Sequence, residues 1–193
     1  LWQWFFGMPV KVRAMAACGK YHRIEVEDEV NACLEYADGK IGNFITTTGE
    51  APGTNRLEIA AERGRVILEN GQLSFRRNEI ETSVFSRSAA MNFAMPPCWE
   101  CLIPVPQEPS GHAVVIENLA AAVLRQEPLI APLEEGIRSL ELGNAMLLAG
   151  LTGRAIDLPL DAAAYAAQLA KLVAASAGKL AGEPAGTPAV RPF

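Results

Sequence analysis

The chain has 193 residues, of which 50% are hydrophobic and 20% are charged, and its formal net charge is −5 at pH 7. These values predict a soluble globular chain with enough apolar material for a core. The negative charge argues against nucleic acid and anionic membrane surfaces as partners. No apolar run approaches the roughly 20 residues that span a bilayer, so we expect no membrane partner and a cytoplasmic location.

The first residues, Leu1–Phe6, are apolar and are followed by the helix-stopping residues Gly7 and Pro9. The run is too short for a signal peptide and has no basic segment before it. It predicts the last turns of a helix whose earlier part is missing, so we expect a fragment. The predicted organisation is the end of a truncated helix over 1–7, a single α+β domain over 8–176 and a flexible tail over 177–193.

Alternating residues over Val10–Ala16 and Glu29–Tyr36 predict the first two strands. Asp38-Gly39 predicts a two-residue hairpin turn, because both turn positions need a positive φ. A two-residue turn at this point pairs Cys33 with Phe44 on one face of the hairpin. Neither face is wholly polar, so we expect helices on one side and a partner subunit on the other. Cys33 and Phe44 are therefore the predicted subunit contacts.

A second antiparallel ladder is predicted within Thr46–Phe75, with turns at Arg63-Gly64 and Asn70-Gly71. Its apolar side chains share one face: Leu57, Ile59, Ala61, Val66, Leu68, Leu73 and Phe75. Its polar side chains share the other face: Glu58, Arg65, Glu69, Ser74 and Arg76. A slip of one residue would invert a strand, so this agreement predicts a three-stranded meander. Trp99–Val105 is expected to add one more strand.

Three helices follow the strands. The first is predicted from an N-cap at Ser110 to Pro128, with an apolar stripe of Ile116, Leu119, Ala120 and Val123. The second is predicted from Pro132 to Gly153, with an inner face of Leu140, Asn144, Leu147, Leu148 and Leu151. Asp161 is expected to cap a third helix from Ala162 to about Ala175. Strands followed by helices predict an α+β fold: an open, mainly antiparallel sheet with helices packed on one face and the other face available for oligomerisation.

The four cysteines include a Cys98-Trp99-Glu100-Cys101 pair. An extended segment follows the pair, whereas a redox pair needs a helix N-terminus to lower the pKa of its first thiol. Cys18 and Cys33 form no second pair with zinc-site spacing. We therefore expect reduced structural thiols and no metal site.

Several segments resemble the C-terminal domain of the glucose-fructose oxidoreductase, inositol dehydrogenase and MocA family. They are Val26–Glu29, Gly49–Ile59, Gly64–Gly71, Glu127–Pro132 and Glu134–Glu141. The resemblance extends over about residues 1–160 and implies an NAD(P)-dependent oxidoreductase of a sugar, polyol or related hydroxy compound. In that family an N-terminal Rossmann domain precedes this kind of sheet domain, which helps to form the substrate pocket and the subunit interface.

The same resemblance implies what the chain lacks. The family's catalytic lysine and its Asp/His motif lie upstream of the matched segments, so no catalytic residue can be assigned here. The sequence contains neither a G-x-G-x-x-G motif nor a P-loop, so no residue is assigned to a cofactor. NAD or NADP is expected in the parent enzyme, and the fragment alone is expected to bind neither and to be inactive.

The polar loop between the two ladders supplies candidate substrate contacts. Glu50, Thr54 and Asn55 are candidates to bind a sugar hydroxyl, although Thr54 and Asn55 are equally suited to stabilise a Pro-Gly turn. Arg56 is a candidate for a substrate carboxylate, with an exposed arginine at a strand edge as the alternative.

The chain has two histidines. His22 is a candidate pocket residue, and a solvated loop histidine is its alternative. His112 lies in the first turn of a predicted helix, where a charged imidazolium is disfavoured, so we expect either a neutral hydrogen-bonding role or a substrate contact.

Two functions remain open at this point. The first is the substrate-side domain of an NAD(P)-dependent oxidoreductase. The second is a non-catalytic module for self-association or ligand binding. Both predict a homo-oligomer, dimer or tetramer, through the sheet face.

Overall fold

The computed structural model describes residues 2–104 and 111–176. The predicted cap at Ser110 and the predicted tail over 177–193 lie outside these ranges. The helices and strands, in chain order, are α1 (Trp2–Phe6), β1 (Lys11–Cys18), β2 (Glu27–Glu35), β3 (Ile41–Thr47), β4 (Arg56–Ala61), β5 (Gly64–Glu69), β6 (Gln72–Asn78), α2 (Thr82–Ser88), β7 (Cys98–Ile103), α3 (His112–Arg125), α4 (Leu133–Thr152), β8 (Ile156–Asp157) and α5 (Ala162–Ser176).

The chain divides into two compact units, and each contains a four-stranded antiparallel sheet. The first unit comprises the described residues up to Ala51 and from Val115 onward. The second comprises the described part of Pro52–Val114. Strands with helices beside them confirm the predicted α+β class, although the strands form two sheets where one was predicted.

Sheet A, in the first unit, has the strand order β3-β2-β1-β8, and helix α4 packs on β1 and β2. The side chains between them are buried: Val12, Val30, Ala32, Leu34, Tyr36, Leu142, Ala145, Met146 and Ala149. The helix lies very close to the sheet, because a Cβ atom at Gly150 would lie 2.5 Å from Cβ of Ala16. One face of sheet A is thus covered and supplies the core.

Helix α1 occupies the position at which the sequence predicts a helix. Trp2 donates a hydrogen bond from Nε1 to Oη of Tyr36 at 2.8 Å. The Trp2 indole also lies over Gly42, where an added Cβ would be 2.3 Å from Cζ2 of the ring. Burial raises the pKa of the Tyr36 hydroxyl. The glycine therefore makes room for the indole that attaches α1 to sheet A.

The predicted register of the first hairpin is wrong by one residue. Glu35 pairs with Ile41, and Tyr36 donates its N–H to the Lys40 carbonyl at 3.1 Å. The loop therefore has three residues, the last being Gly39 with φ +85°, as in hairpins with a glycine bulge. Cys33 consequently pairs with Asn43 rather than with Phe44. Phe44 pairs with Ala32 and lies on the covered face, opposite to the face of Cys33.

Sheet B, in the second unit, confirms the predicted meander and adds β7 as its fourth strand, in the order β4-β5-β6-β7. The turn at Asn70-Gly71 is as predicted, since Glu69 pairs with Gln72. The first turn lies one residue earlier than predicted, because Gly64 already pairs with Ala61. The side chains keep their predicted faces, because moving the turn by one residue shifts the strand pairing by two residues.

The helices agree with the sequence in position, and their buried faces agree only in part. The predicted stripe of α3 is solvent-exposed, with Ile116 at 66% and Val123 at 75% exposure, while Ala121 is buried. In α4, Leu148 is buried as predicted, whereas the predicted inner residue Leu140 is 65% exposed and Leu142 is 4% exposed. In α5, Asp161 accepts hydrogen bonds from the N–H groups of Ala163 and Ala164, which confirms the predicted cap.

The two cysteines of the Cys-x-x-Cys segment lie in β7, where residues three apart point to opposite faces. Cys101 pairs with Phe75 and Cys98 with Asn78, so the two thiols do not share a site. Within the described ranges, no helix has the length and apolar character needed to cross a bilayer.

Leucines 140 and 142 of α4 provide a test of this packing. Leu142→Ala should lower the free energy of unfolding by about 2–5 kcal/mol, because it removes a buried side chain from a close-packed core. Leu140→Ala should change it by less than about 0.5 kcal/mol. Urea unfolding followed by circular dichroism measures both. Equal losses would show that the buried face of α4 is assigned incorrectly.

Candidate functional site

The connection between β1 and β2 is organised around one buried carboxylate. Asp28 is 3% exposed. It accepts hydrogen bonds from three successive backbone N–H groups, those of Lys20 at 3.0 Å, Tyr21 at 2.7 Å and His22 at 3.1 Å. Burial on its own would raise the pKa of Asp28, but these donors outweigh burial and hold the pKa below the ordinary value of 3.8. Asp28 is therefore a charged anchor for the loop.

The same loop is held against the end of β3 by an aromatic contact. The Tyr21 ring covers Gly49, where an added Cβ would lie 2.4 Å from the ring. Tyr21 also donates its hydroxyl to Glu29 at 3.3 Å, and Lys20 pairs with the same carboxylate. These contacts hold the loop against Gly49 and against Glu29.

Thr48 joins the loop histidine to the anchor. Its backbone N–H donates to the Asp28 carbonyl at 2.9 Å, and its Oγ1 lies 3.3 Å from that carbonyl. The same Oγ1 lies 3.0 Å from Nδ1 of His22. The Asp28 carboxylate is 3.6 Å from Nδ1. His22 thus belongs to an ordered cluster and is not a loose loop residue, although 47% of its side chain is exposed.

A cavity of about 240 Å³ adjoins this cluster, between β2, β3 and α4. Its polar lining consists of three acidic residues and two threonines: Glu27, Asp28, Glu29, Thr46 and Thr48. Its apolar lining consists of Val30, Phe44, Met146 and Leu147. Threonine hydroxyls together with an apolar lining are a mixture that suits a small polyhydroxylated ligand.

The cavity is open at one position of α4 because the residue there has no side chain. Gly143 lines the cavity, and an added Cβ at this position would meet nothing within 4 Å. Seven residues later, Gly150 allows close contact with the sheet. Gly150 therefore lets α4 approach the sheet closely, whereas Gly143 leaves space between α4 and the sheet.

Arg56, predicted as a ligand for a substrate carboxylate, already has two carboxylate partners. It pairs with Glu58 at 2.6 Å and with Glu69 at 2.9 Å, and Glu58 also pairs with Arg65 at 3.2 Å. Hydrogen bonding by Arg56 lowers the pKa of Glu58. These residues form the polar face of sheet B that the sequence predicts. Strand β4 lies at the edge of the sheet, which agrees with the alternative prediction that Arg56 is an exposed arginine at a strand edge.

The other predicted site residues are solvent-exposed. Glu50 lies in the first unit, and Thr54 and Asn55 lie in the second, each exposed. His112 is exposed at the start of α3. The interface role predicted for Cys33 and Phe44 stays a prediction, now with the two side chains on opposite faces.

Asp28 and Thr48 are the site residues that the sequence analysis missed. A signal for Asp28 was present, because Val30, Ala32, Leu34 and Tyr36 alternate on the buried face of β2 and position 28 continues that row. A carboxylate at an inward position needs partners. Thr48 carried no such signal, since only the corrected hairpin register brings it beside Asp28.

The first part of the chain matches a known family model. Residues 1–67 match the model of the GFO/IDH/MocA C-terminal domain. This match agrees with the predicted resemblance over that segment. The matched segment contains α1, sheet A up to β3, and the Asp28 cluster. No curated protein sequence matches the chain.

Solved structures with a similar fold are larger proteins. The aldose-aldose oxidoreductase of Caulobacter crescentus, solved with glycerol, is 20% identical with a TM-score of 0.60, over 81% of this chain and 43% of that protein. The WlbA dehydrogenase of Bordetella pertussis, solved with NADH and UDP-GlcNAcA, is 22% identical with a TM-score of 0.53, over 83% and 42%. The chain therefore spans less than half the length of these proteins, and the likeness shows its fold.

The Asp28 anchor predicts a specific pH dependence. Because the pKa of Asp28 is depressed in the folded state, its stabilisation is complete above pH 3.8 and is lost as the pH falls through the lower folded-state pKa. Asp28→Asn should therefore be less stable than the wild type at neutral pH, and the difference should shrink below pH 3.8. Urea unfolding across this range measures the difference.

Asp38→Asn is the matched control, because Asp38 is also paired but 61% of its side chain is exposed. It should have little effect on stability at neutral pH. A loss equal to that of Asp28→Asn would contradict the special role of the buried carboxylate.

Proposed function

We propose that this chain is the substrate-side and self-association domain of an NAD(P)-dependent oxidoreductase that acts on a sugar, polyol or related hydroxy compound. The observation that carries the proposal is the cavity beside Asp28, which lies within the unit that contains most of the family match. Its threonine hydroxyls pair with ligand hydroxyls, while Phe44 offers an apolar surface to the C–H face of a sugar ring. The similar proteins solved with a sugar nucleotide and with glycerol are consistent with this ligand class.

The dinucleotide in this proposal is held by another part of the parent enzyme. Hydride transfer needs a positioned nicotinamide and an acid/base partner for the hydroxyl proton, and no residue of this chain is assigned to either. The domain contributes the substrate wall opposite the cofactor. Its reduced thiols suit a cytoplasmic enzyme.

Calorimetry tests whether this chain binds the dinucleotide on its own. Titration of this chain with NAD⁺, NADH, NADP⁺ or NADPH should give no binding heat, because the dinucleotide contacts belong to a Rossmann domain. A dissociation constant in the micromolar range would contradict the proposal.

A large side chain at position 143 of the parent enzyme tests whether the substrate binds in the cavity. Gly143→Leu should raise the KM for the sugar or polyol by about tenfold or more, the equivalent of about 1.4 kcal/mol of lost binding. Gly136→Leu is the control, because Gly136 lies on the same helix, does not line the cavity and also has open space at its Cβ. Unchanged KM in the Gly143 variant would show that substrate binds elsewhere.

The uncovered face of sheet A supports self-association. Met15, Ile41 and Ile45 lie on it with exposures of 71%, 71% and 67%, and Cys33 lies between them on β2. A sheet face with several large apolar side chains is suited to pack against a second copy of itself, as in a dimer or tetramer. The same face is the basis of the alternative function, a non-catalytic self-association module.

Charge placed on that face should prevent association. Ile45→Glu should shift the sedimentation coefficient to that of the monomer, because the carboxylate would be buried without a partner. Ile130→Glu, at a position 59% exposed and outside sheet A, should leave the oligomer intact. A wild-type chain that remains monomeric at high concentration would rule out this face as the contact.

A further inference from the structure

Strand β7 forms one edge of sheet B. In the part of the chain that the structure describes, no strand lies beyond it in this sheet. Just before β7, the carbonyl of Pro97 accepts a hydrogen bond from the N–H of Glu79 at 2.9 Å, on the β6 side. Hydrogen-bonded and non-hydrogen-bonded pairs alternate along an antiparallel ladder. Cys101 therefore directs its backbone groups to β6, whereas Glu100 and Leu102 direct theirs outward.

This edge lacks the usual protection against pairing with another strand. Edge strands are commonly guarded by lysine, by proline within the strand or by a bulge, and Cys98–Ile103 has none of these in its regular register with β6. Its one charged side chain, Glu100, accepts hydrogen bonds from Arg76 of β6 at 2.6 and 3.0 Å. Leu102 is 81% exposed and Trp99 is 59% exposed. The edge is thus a mainly apolar strand whose outward backbone groups suit a further strand.

A second copy of β7 fits this edge best in one register. If the apolar rows of two antiparallel copies lie on the same side, the pairing is centred on one residue. Centring on Glu100 would place two carboxylates opposite each other, which is destabilising. Centring on Leu102 would place Pro104, which has no N–H, opposite Glu100, and centring on Trp99 would leave Leu102 beyond the partner strand. Centring on Cys101 places Glu100 opposite Leu102, whose outward groups then form about four hydrogen bonds between the copies.

The same register continues the apolar face of sheet B across the contact. Trp99 of each copy lies opposite Ile103 of the other, so that the exposed indole gains an apolar neighbour. The two Cys101 residues lie opposite each other in a non-hydrogen-bonded pair, with Cα atoms about 4.5 Å apart. A disulfide allows about 4.4–6.8 Å between Cα atoms. The two Cys98 residues would be about 20 Å apart, because six positions separate them along the strands.

We propose that β7 pairs antiparallel with β7 of a second copy of this chain, in the register centred on Cys101. The inference rests on the proposed self-association through sheet A, because a few hydrogen bonds between two short strands are too weak to hold two monomers together. In a closed tetramer the edge contact occurs twice, and the second pairing is then intramolecular. The edge of sheet B therefore joins two dimers.

Oxidative cross-linking tests the register. With diamide as a mild thiol oxidant, the wild-type chain and Cys98→Ser should form a disulfide between two copies of Cys101. Cys101→Ser should form no link through Cys98. Intact mass and mapping of the linked peptides measure both. Exposure alone predicts the opposite, because Cys98 is exposed and Cys101 is half-buried. A link through Cys98, or no link through Cys101, would overturn the proposal.

Removal of one outward N–H tests the hydrogen bonds. Leu102→Pro should convert the tetramer into a dimer and lose the Cys101 link, because proline lacks the donor and this N–H takes no part in the pairing with β6. Leu102→Ala is the control, since it keeps the N–H and should remain tetrameric. Sedimentation equilibrium measures the mass, and circular dichroism verifies folding. A folded Leu102→Pro chain that stays tetrameric would contradict the proposal.

The wild-type mass separates this contact from the one through sheet A. A wild-type dimer that Ile45→Glu dissociates, without a Cys101 link, would refute the edge pairing alone and leave the edge for an extended peptide of another protein. A wild-type chain that stays monomeric would refute the edge pairing and also contradict the proposed self-association.

Discussion

The close packing of α4 on sheet A is the contact on which the first unit depends. Small residues line it on both sides, and Gly150 meets Ala16 at a separation that admits no further atom. Close approach brings Leu142, Ala145 and Ala149 into the same core as Leu34, where dispersion and apolar burial act together. Because one helix covers one face, the opposite face of the sheet remains uncovered.

Strand β2 connects this core to the candidate site. Its inward row runs from Leu34 through Ala32 and Val30 to Asp28, so the same alternation that fills the core ends in a carboxylate. The apolar residues fix the strand, and the strand fixes the carboxylate at a place where three backbone donors converge. A charged group can stay ionised there because hydrogen bonds replace its lost hydration. The position of the Asp28 carboxylate therefore depends on the packing of the core.

Local patterns predicted most of the fold, and long-range geometry accounts for the errors. The alternation in β4, β5 and β6, the turn at Asn70-Gly71 and the cap at Asp161 depend on neighbouring residues and were predicted correctly. The buried face of α4 was predicted correctly at Leu148 but not at Leu140, because Leu140 and Leu142 are equally apolar and only the sheet beneath them decides which one is buried. The site was less predictable still, since the loop between β1 and β2 brings His22 to Asp28 and the register of β3 brings Thr48 to both.

The three-residue loop that ends at Gly39 has an evolutionary consequence. A deletion of one residue in this loop would look harmless in an alignment, because the loop is exposed and hairpin lengths vary freely. With a two-residue turn, however, the inward and outward rows of β3 would be exchanged, and the ring of Phe44 would leave the cavity for the solvent. Relatives with a shorter loop at this point would need a new set of residues along β3. Loop length is thus a marker for tracing which relatives place the same residues on the covered face of β3.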